Sequence, residues 1–471
     1  MNYSRIALIP IFLLLIACQG SQPDEQLIFE SLGRLPSASL DGDSNYFLGN
    51  EQILISGNKK GSFSGEEGIS LKSINLLSGY SASIKLDEIS FCLNNGQSFI
   101  KYPFATSQIF KNAELGIEVK KLEFIAKYKD GLTLLYFIKN MDNSSRNLKF
   151  IFQPYTDLKP SALVDGTFGT NTPDQINYDE LTELFTAKDL ENDWFAIWGT
   201  AAGYQLKSTN SKCALNLDSL GASAGFEISL ELAAGEEKVI PVFIAGSDKS
   251  ELDAMETLAD LRLDLFMDWD ENFALIDSLR KTAQITIHDQ KLQAAYDWSK
   301  YKVGLFQFTE NDATTSPIQD PDQLHQVLNE LSKEFIAQVD VEQFSFDKNQ
   351  PRHISPGWKL MQPLTLLLMG IHGDVANRVT YVRPNLPKDW RDVSVKNLWI
   401  EDNMLTISIR SNENQMIVEV TQTQKKAGLS IELPEAYSKV KVLGKEVSND
   451  TKDGFRRILM TGDHVKIEAK K

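Results

Sequence analysis

Cysteine is the residue type whose surroundings in this chain say most about chemistry. Cys18 closes the stretch Leu15-Ile16-Ala17-Cys18, behind one positive charge at Arg5 and an apolar run from Ile6 to Ala17. That run, about twelve residues, is too short to cross a bilayer and suits the apolar segment of an export signal. The four residues resemble a bacterial lipobox, after which the cysteine becomes the lipidated first residue of the mature chain. Each buried methylene contributes about 0.8 kcal/mol, so several acyl chains on one cysteine anchor durably. Gln19 follows rather than Asp, which resembles the outer-membrane sorting pattern. The expectation is an exported chain, tethered to a membrane through Cys18, with residues 19–27 as a flexible tether.

Export leaves Cys92 and Cys213 free to pair in an oxidising compartment. A buried structural pair and two separate buried thiols are both compatible with their positions. They stand 121 positions apart with no histidine nearby, which is not metal-ligand spacing, and no metal site is expected. Neither a phosphate-cradling loop nor a Ser-His-Asp order emerges, so no cofactor is expected.

The 471 residues suffice for two or three domains with real cores, and 42% apolar with 10% aromatic residues describes a globular chain. A net charge of −16 without a basic run excludes a nucleic-acid partner, which requires a basic face.

The elements that would hold any site are mainly β. From about residue 28 to 247 short β-rich runs alternate with turn signals, as expected of a large antiparallel sandwich. Two such runs flank Asp142-Asn143-Ser144-Ser145 as a hairpin would, and alternation on either side of Ala234-Gly235-Glu236 repeats the pattern. Trp194 and Trp198 fall on one face of a strand, as core residues would. The period changes near 249: Ala254, Leu258, Leu261 and Leu265 recur at helical spacing behind Asp248 or Ser250 as cap. Further helices are expected from Asp289, after Asp320-Pro321-Asp322 (where both aspartates suit capping), and over the apolar stretch Leu360 to Ile371. Strands return from about 376. The resulting division is 28–270 sandwich with linker helix, 271–375 helical segment, and 376–471 small C-terminal β-domain.

In this order the pieces resemble the glycogen-debranching, or amylo-α-1,6-glucosidase-like, glycoside hydrolases. The resemblance rests on "YFLGNEQILISGNKKG" from Tyr46, "LELAAGEEKVIPVFIAG" from Leu230, and "DQKLQAAYDWSKYKVGLF" with Asp289, Trp298 and Lys300. "RHISPGW" through "MGIHGD" and "RPNLPKDW" completes it. That family implies an N-terminal sandwich, a catalytic (α/α)₆ toroid and a C-terminal β-domain. A toroid of twelve helices needs roughly 200 residues. Only 94 positions (378 − 284) separate Gln284 from Arg378, so most of the toroid is missing near 309–322.

Glycoside hydrolysis needs an acid to protonate the leaving oxygen and a second carboxylate across the sugar. The resemblance puts the family's acid in the missing hairpins. It makes Glu330 the candidate base, although Lys333 stands where the family often carries glycine; a solvated helix face, with Glu330 beside Lys333 and Glu334, is the favoured reading of the residue. By the same resemblance His353 and Trp358 line a sugar-binding mouth, with Trp298 as a further candidate. A ring can stack on a pyranose and an imidazole can bond its hydroxyls; core packing is the alternative for both tryptophans. A non-catalytic glycan-associated lipoprotein, or one that has lost its ligand, is therefore expected. The alternative is a residual α-glucosidase pairing Glu330 with Asp312 or Asp340.

Overall fold

The computed structural model describes residue 28, residues 31–305, Gln326 and residues 363–471. Within those spans 40–44, 51, 66, 72, 162–168, 202–203, 210, 214, 216–219, 448–449 and 453 fall outside the described set. Among the first 34 residues the described part is a helical turn in which Ser31 Oγ donates to Ile28 O (2.7 Å).

The chain is mainly β, as its alternation predicts. A nine-stranded sheet runs in the order Ala38–Ser39, Ser98–Lys101, Ala105–Asn112, Ile117–Ile125, Gly131–Asn140, Glu237–Ser247, Phe195–Thr200, Leu184–Asp189 and Asp174–Asp179. An eight-stranded sheet faces it, with Ile74–Leu86 and Arg146–Pro160 as its longest members. One apolar core lies between them and takes in Leu76, Ile84, Val119, Leu134, Phe150 and Ile244. Trp194 and Trp198 are both in it, and Trp198 stacks on Phe185 at 5.7 Å.

Two turns that read as hairpins cross between the sheets instead. Gly131–Asn140 pairs with Ile117–Ile125 and Glu237–Ser247, whereas Arg146–Pro160 pairs with Ile74–Leu86 and Gly225–Leu232. Asp142 to Ser145 therefore links opposite layers, and so does Ala234 to Glu236. Asn140 clamps the two crossings together. Its Nδ2 donates to the carbonyls of Ser144 (2.7 Å), Leu232 (3.2 Å) and Ala233 (2.9 Å), and its backbone N–H donates to Glu236 O. A side chain thus satisfies backbone acceptors that a hairpin ladder would otherwise use.

Helix α1, Glu251–Leu263, starts where expected, with Ser250 Oγ accepting from Asp253 N (3.1 Å). Ala254, Leu258 and Leu261 are its buried face. The apolar spacing does not continue as one helix, because the chain breaks at Asp264 and resumes as α2, Leu265–Lys281. Lys129 holds the break: its Nζ reaches Asp260 O (3.2 Å), Asp264 Oδ2 (3.2 Å) and Asp268 Oδ2 (2.9 Å). Trp269 of α2 meets Phe104 and Phe124 edge-on, at 4.9 and 5.3 Å, and Asn272 Nδ2 donates to Ile125 O. Each such ring pair contributes about 0.5–1.5 kcal/mol beyond its buried area.

Beyond α2 a second core begins. Gln284–Thr286 joins a seven-stranded sheet through Asp392–Ile400, and a five-stranded sheet packs against that one around Val395, Ile407, Leu429 and Ile431. Helix α3, Gln290–Leu305, starts after Asp289 as predicted, with Asp289 Oδ1 accepting from Lys291 N and Leu292 N. Of the helix expected over Leu360 to Ile371, residues 360–362 lie outside the described residues and the rest is helical for a single turn only. Pro363–Leu368 is one π-helical turn, closed by Met369 N donating to Leu364 O, and Ile371–Asp374 is already a strand paired with Val379–Val382. Gly370 at φ 65° ends the turn, and Arg383 N donates to its carbonyl. The strands thus return five residues earlier than the composition suggests.

Candidate functional site

Glu330, His353, Trp358, Asp312, Asp340 and Cys18 lie outside the described residues. Trp298 is described. It sits on α3 in the second core, 9% exposed, with its ring edge-to-face on Tyr301 at 6.4 Å. Lys300, two residues on, is 5% exposed at its side chain and caps the end of α2, with Nζ 2.9 Å from Thr282 O. Asn397 Nδ2 donates to Lys281 O, and Tyr296 OH donates to Ala283 O. Gln293 grips the strand that precedes α3, donating to Ile285 O and accepting from Ile287 N just beyond it. The residues that carry the family resemblance in this helix are thus occupied in joining α2 to the second core.

The most concentrated polar chemistry among the described residues lies inside the sandwich, where the sequence shows only "VKKLEFI". Strand Ile117–Ile125 turns Val119, Lys121, Glu123 and Ile125 to one side, the side of the core. Glu123 is fully buried. Its carboxylate accepts from Tyr46 OH (2.5 Å), Tyr80 OH (2.8 Å) and Thr106 Oγ1 (3.0 Å). Tyr46 and Tyr80 belong to the eight-stranded sheet, so these bonds span the layers. Lys121, 2% exposed, donates from Nζ to Tyr80 OH (2.8 Å) and lies 5.1 Å from that ring's centre. Gln108 and Tyr136 flank Lys121 in register on the neighbouring strands. Burial, reinforced by the charge of Glu123, holds the hydroxyls of Tyr46, Tyr80 and Tyr136 protonated well above the usual tyrosine range. Burial lowers the Lys121 ammonium, with Glu123 opposing. Each of these groups is buried among the described residues, and their arrangement locks two sheets in one register.

No family model matches the chain, and no curated protein matches it. Among solved structures it is similar to a kojibiose phosphorylase from the human microbiome. The identity is 8% and the TM-score 0.44, over 88% of this chain and 96% of that one. It is similar to a bacterial glucoamylase complexed with acarbose, at 8% identity and a TM-score of 0.32, over 56% of this chain and 42% of that one. An aldose 1-epimerase from Escherichia coli K12 matches at 10% identity and a TM-score of 0.30, over 44% of this chain and 99% of that one. At these values no residue here inherits a role from any of them.

The remaining buried carboxylates among the described residues are also engaged. Asp157 pairs with Lys159, Glu118 with Lys111, Asp268 with Lys129, and Glu432 with both Arg383 and Arg457. Asp189 accepts from Thr172 Oγ1 and Asn192 Nδ2, and Glu67 accepts from Ser64 N. Among the described residues no group of three or more His, Cys, Asp or Glu could hold a metal ion.

Asp174 differs from these. Its Oδ2 accepts from Leu158 N (3.1 Å), but its buried Oδ1 has no hydrogen-bond partner among the described residues. Burial pushes its carboxyl from 3.8 up to about 6; the hydrogen bonds from Thr156 and Leu158 oppose this, and Asp189 and Asp157 add to it. A raised folded-state pKa means that the stability contribution is complete below about pH 4 and lost as pH rises through about 6. Asp174→Asn should therefore stabilise the fold at pH 7, by about 1 kcal/mol once solvent screening of the partly exposed group is allowed for, and change nothing at pH 4. Thermal melts at the two pH values test this; an equal shift at both would remove titration as the cause.

Proposed function

We propose that this chain is an exported, lipid-anchored, carbohydrate-associated protein that keeps the sandwich and C-terminal β-domain of a debranching-type glycoside hydrolase without its catalysis. The observation that carries the reading is the short span between the described helices and the C-terminal β-domain. The fully buried Asp and Glu side chains among the described residues each serve a structural bond, and Asp174, partly buried with its Oδ1 unpartnered and its carboxyl raised to about 6, stands apart from them. Losing one positioned acid or base costs 10²- to 10⁴-fold in rate. The 57 positions after Leu305 and before Pro363 (362 − 305) are too few for the missing hairpins of a twelve-helix toroid. Glycan contact then falls to aromatic and imidazole groups, for which Trp358 and His353 are the candidates.

Export is supported by the Cys92–Cys213 disulfide, whose Cα atoms lie 5.7 Å apart, since such bonds persist in oxidising compartments. The chain has three cysteines, so this pairing leaves Cys18 as the remaining thiol. That is the residue at which the lipobox resemblance puts the acyl chains, and Gln19 after it favours the outer membrane. Metabolic labelling with a palmitate analogue should mark the wild type and leave Cys18→Ala unmarked and released from the membrane fraction. Full labelling of Cys18→Ala would refute the anchor.

A further inference from the structure

The outermost pair of strands in the seven-stranded sheet, Lys439–Val442 and Lys445–Glu446, is a two-residue hairpin with Lys441 opposite Glu446 and Val442 opposite Lys445. Its turn residues, Leu443 and Gly444, have φ of 46° and 82°. Positive φ at both positions favours Asn-Gly or Gly-Gly, and a leucine there is disfavoured by clash of its Cβ with the backbone. Leu443 is nevertheless 62% exposed, so no burial offsets that cost. Its N–H donates to Lys466 O (2.9 Å), which fixes the tip beside the last strand, His464–Lys470.

Around this apolar tip the charge is basic. Lys441, Lys445 and Lys466 stand near the tip against Glu446 and Glu468, the latter paired with Lys466, and Lys439 lies opposite Lys470 at the far end of the same strands, on a chain whose net charge is −16. Glu468 is held below the usual carboxylate range by its bond to Lys466, with the charges of Lys441 and Lys470 adding. Lysines at a sheet edge are accounted for by protection against edge-to-edge pairing. An exposed leucine on a strained turn is not, because it works against that protection.

We propose that this hairpin docks on an anionic lipid surface, with Leu443 entering the headgroup boundary and the surrounding lysines contacting lipid phosphates. An apolar tip inside a basic collar is the combination that binds such interfaces, where buried apolar area and charge attraction add. The turn carries no aromatic ring to stack on a sugar, which favours lipid over an acidic polysaccharide. This inference is independent of the Cys18 anchor, since it concerns the folded body.

The test uses the chain from Gln19 onward, which retains every described residue. It should float with vesicles of phosphatidylglycerol and phosphatidylcholine, not with phosphatidylcholine alone, and release as salt is raised. Lys441→Glu combined with Lys445→Glu should abolish flotation. Leu443→Asn, which suits the turn better, should leave the melting temperature unchanged or higher while weakening vesicle binding about fivefold to tenfold. That split separates a contact role from a structural one. Absence of flotation with anionic vesicles, or undiminished binding by Leu443→Asn, would overturn the proposal. So would sedimentation with polygalacturonate in place of vesicles, which would assign the hairpin to an acidic polysaccharide.

Discussion

Glu123→Ala should destabilise the sandwich by about 3–5 kcal/mol, the cost of breaking a buried charged network from one side. The substitution removes the acceptor for Tyr46, Tyr80 and Thr106 together and leaves Lys121 buried without its counter-charge. Rings packed around the cluster, Phe63 and Phe152 against Tyr80 and Phe99 against Tyr46, restrict the entry of water to the abandoned donors. Glu123→Gln keeps an acceptor oxygen and the side-chain shape, so it should lose less than Glu123→Ala. Tyr46→Phe should cost about 1 kcal/mol alone and almost nothing on top of Glu123→Ala, because the partner is already gone. Denaturant unfolding of the four variants measures each difference. A Glu123→Ala cost under about 1 kcal/mol would show that the cluster relaxes or hydrates freely.

Removal of the disulfide should have an effect of similar size. Cys92 ends strand Ile89–Cys92, which pairs with Ile74–Leu86, and Cys213 lies in a segment whose Ser211 N–H donates to Gln153 Oε1. The bond closes a loop over a sequence separation of 121 residues. Chain-entropy reasoning assigns about 4–5 kcal/mol to a loop of that length, with native strain reducing the realised value. Cys92→Ser with Cys213→Ser, or reduction of the wild type, should lower the melting temperature by several degrees. Protein made in a reducing cytoplasm should show the same deficit until it is oxidised. Equal melting temperatures for reduced and oxidised protein would contradict this.

What the sequence disclosed follows from which interactions are local. Ser250 before an Ala254-Leu258-Leu261 stripe is a complete local signal, and the helix forms there. Trp194 and Trp198 are four apart, an even spacing that puts both on one face of the extended chain; both reach the core, and the strand that Trp194 leads into is buried along its whole length. The two sheet crossings could not be told from hairpins, because a turn has the same composition whether its flanking strands pair with each other or with others. Asn140 makes the difference through contacts 92 and 93 positions away. Helix α2 is not separable from α1 in the sequence, although Leu265, Trp269, Asn272 and Ile276 repeat at helical spacing, since the break at Asp264 depends on Lys129 from a distant loop. The Glu123 cluster is hidden for the same reason: Lys-Lys-Leu-Glu in a strand reads as one wet face, and the tyrosines that turn it inward lie 77 and 43 positions away. The apolar stretch from Leu360 is the opposite case. Its composition suits a helix, but the ladder with Val379–Val382 claims its end for a sheet.

The central claim, glycan association without hydrolysis, is tested most directly by incubating the purified chain with a panel of α-1,4- and α-1,6-linked gluco-oligosaccharides and reading retained and released sugar together. The account predicts retention of intact oligosaccharide that Trp358→Ala weakens and Glu330→Gln leaves unchanged, with no product formed. Product release by the wild type that Glu330→Gln abolishes would contradict it and place an active site at Glu330, and sugar neither retained nor cleaved would leave the carbohydrate reading without a ligand.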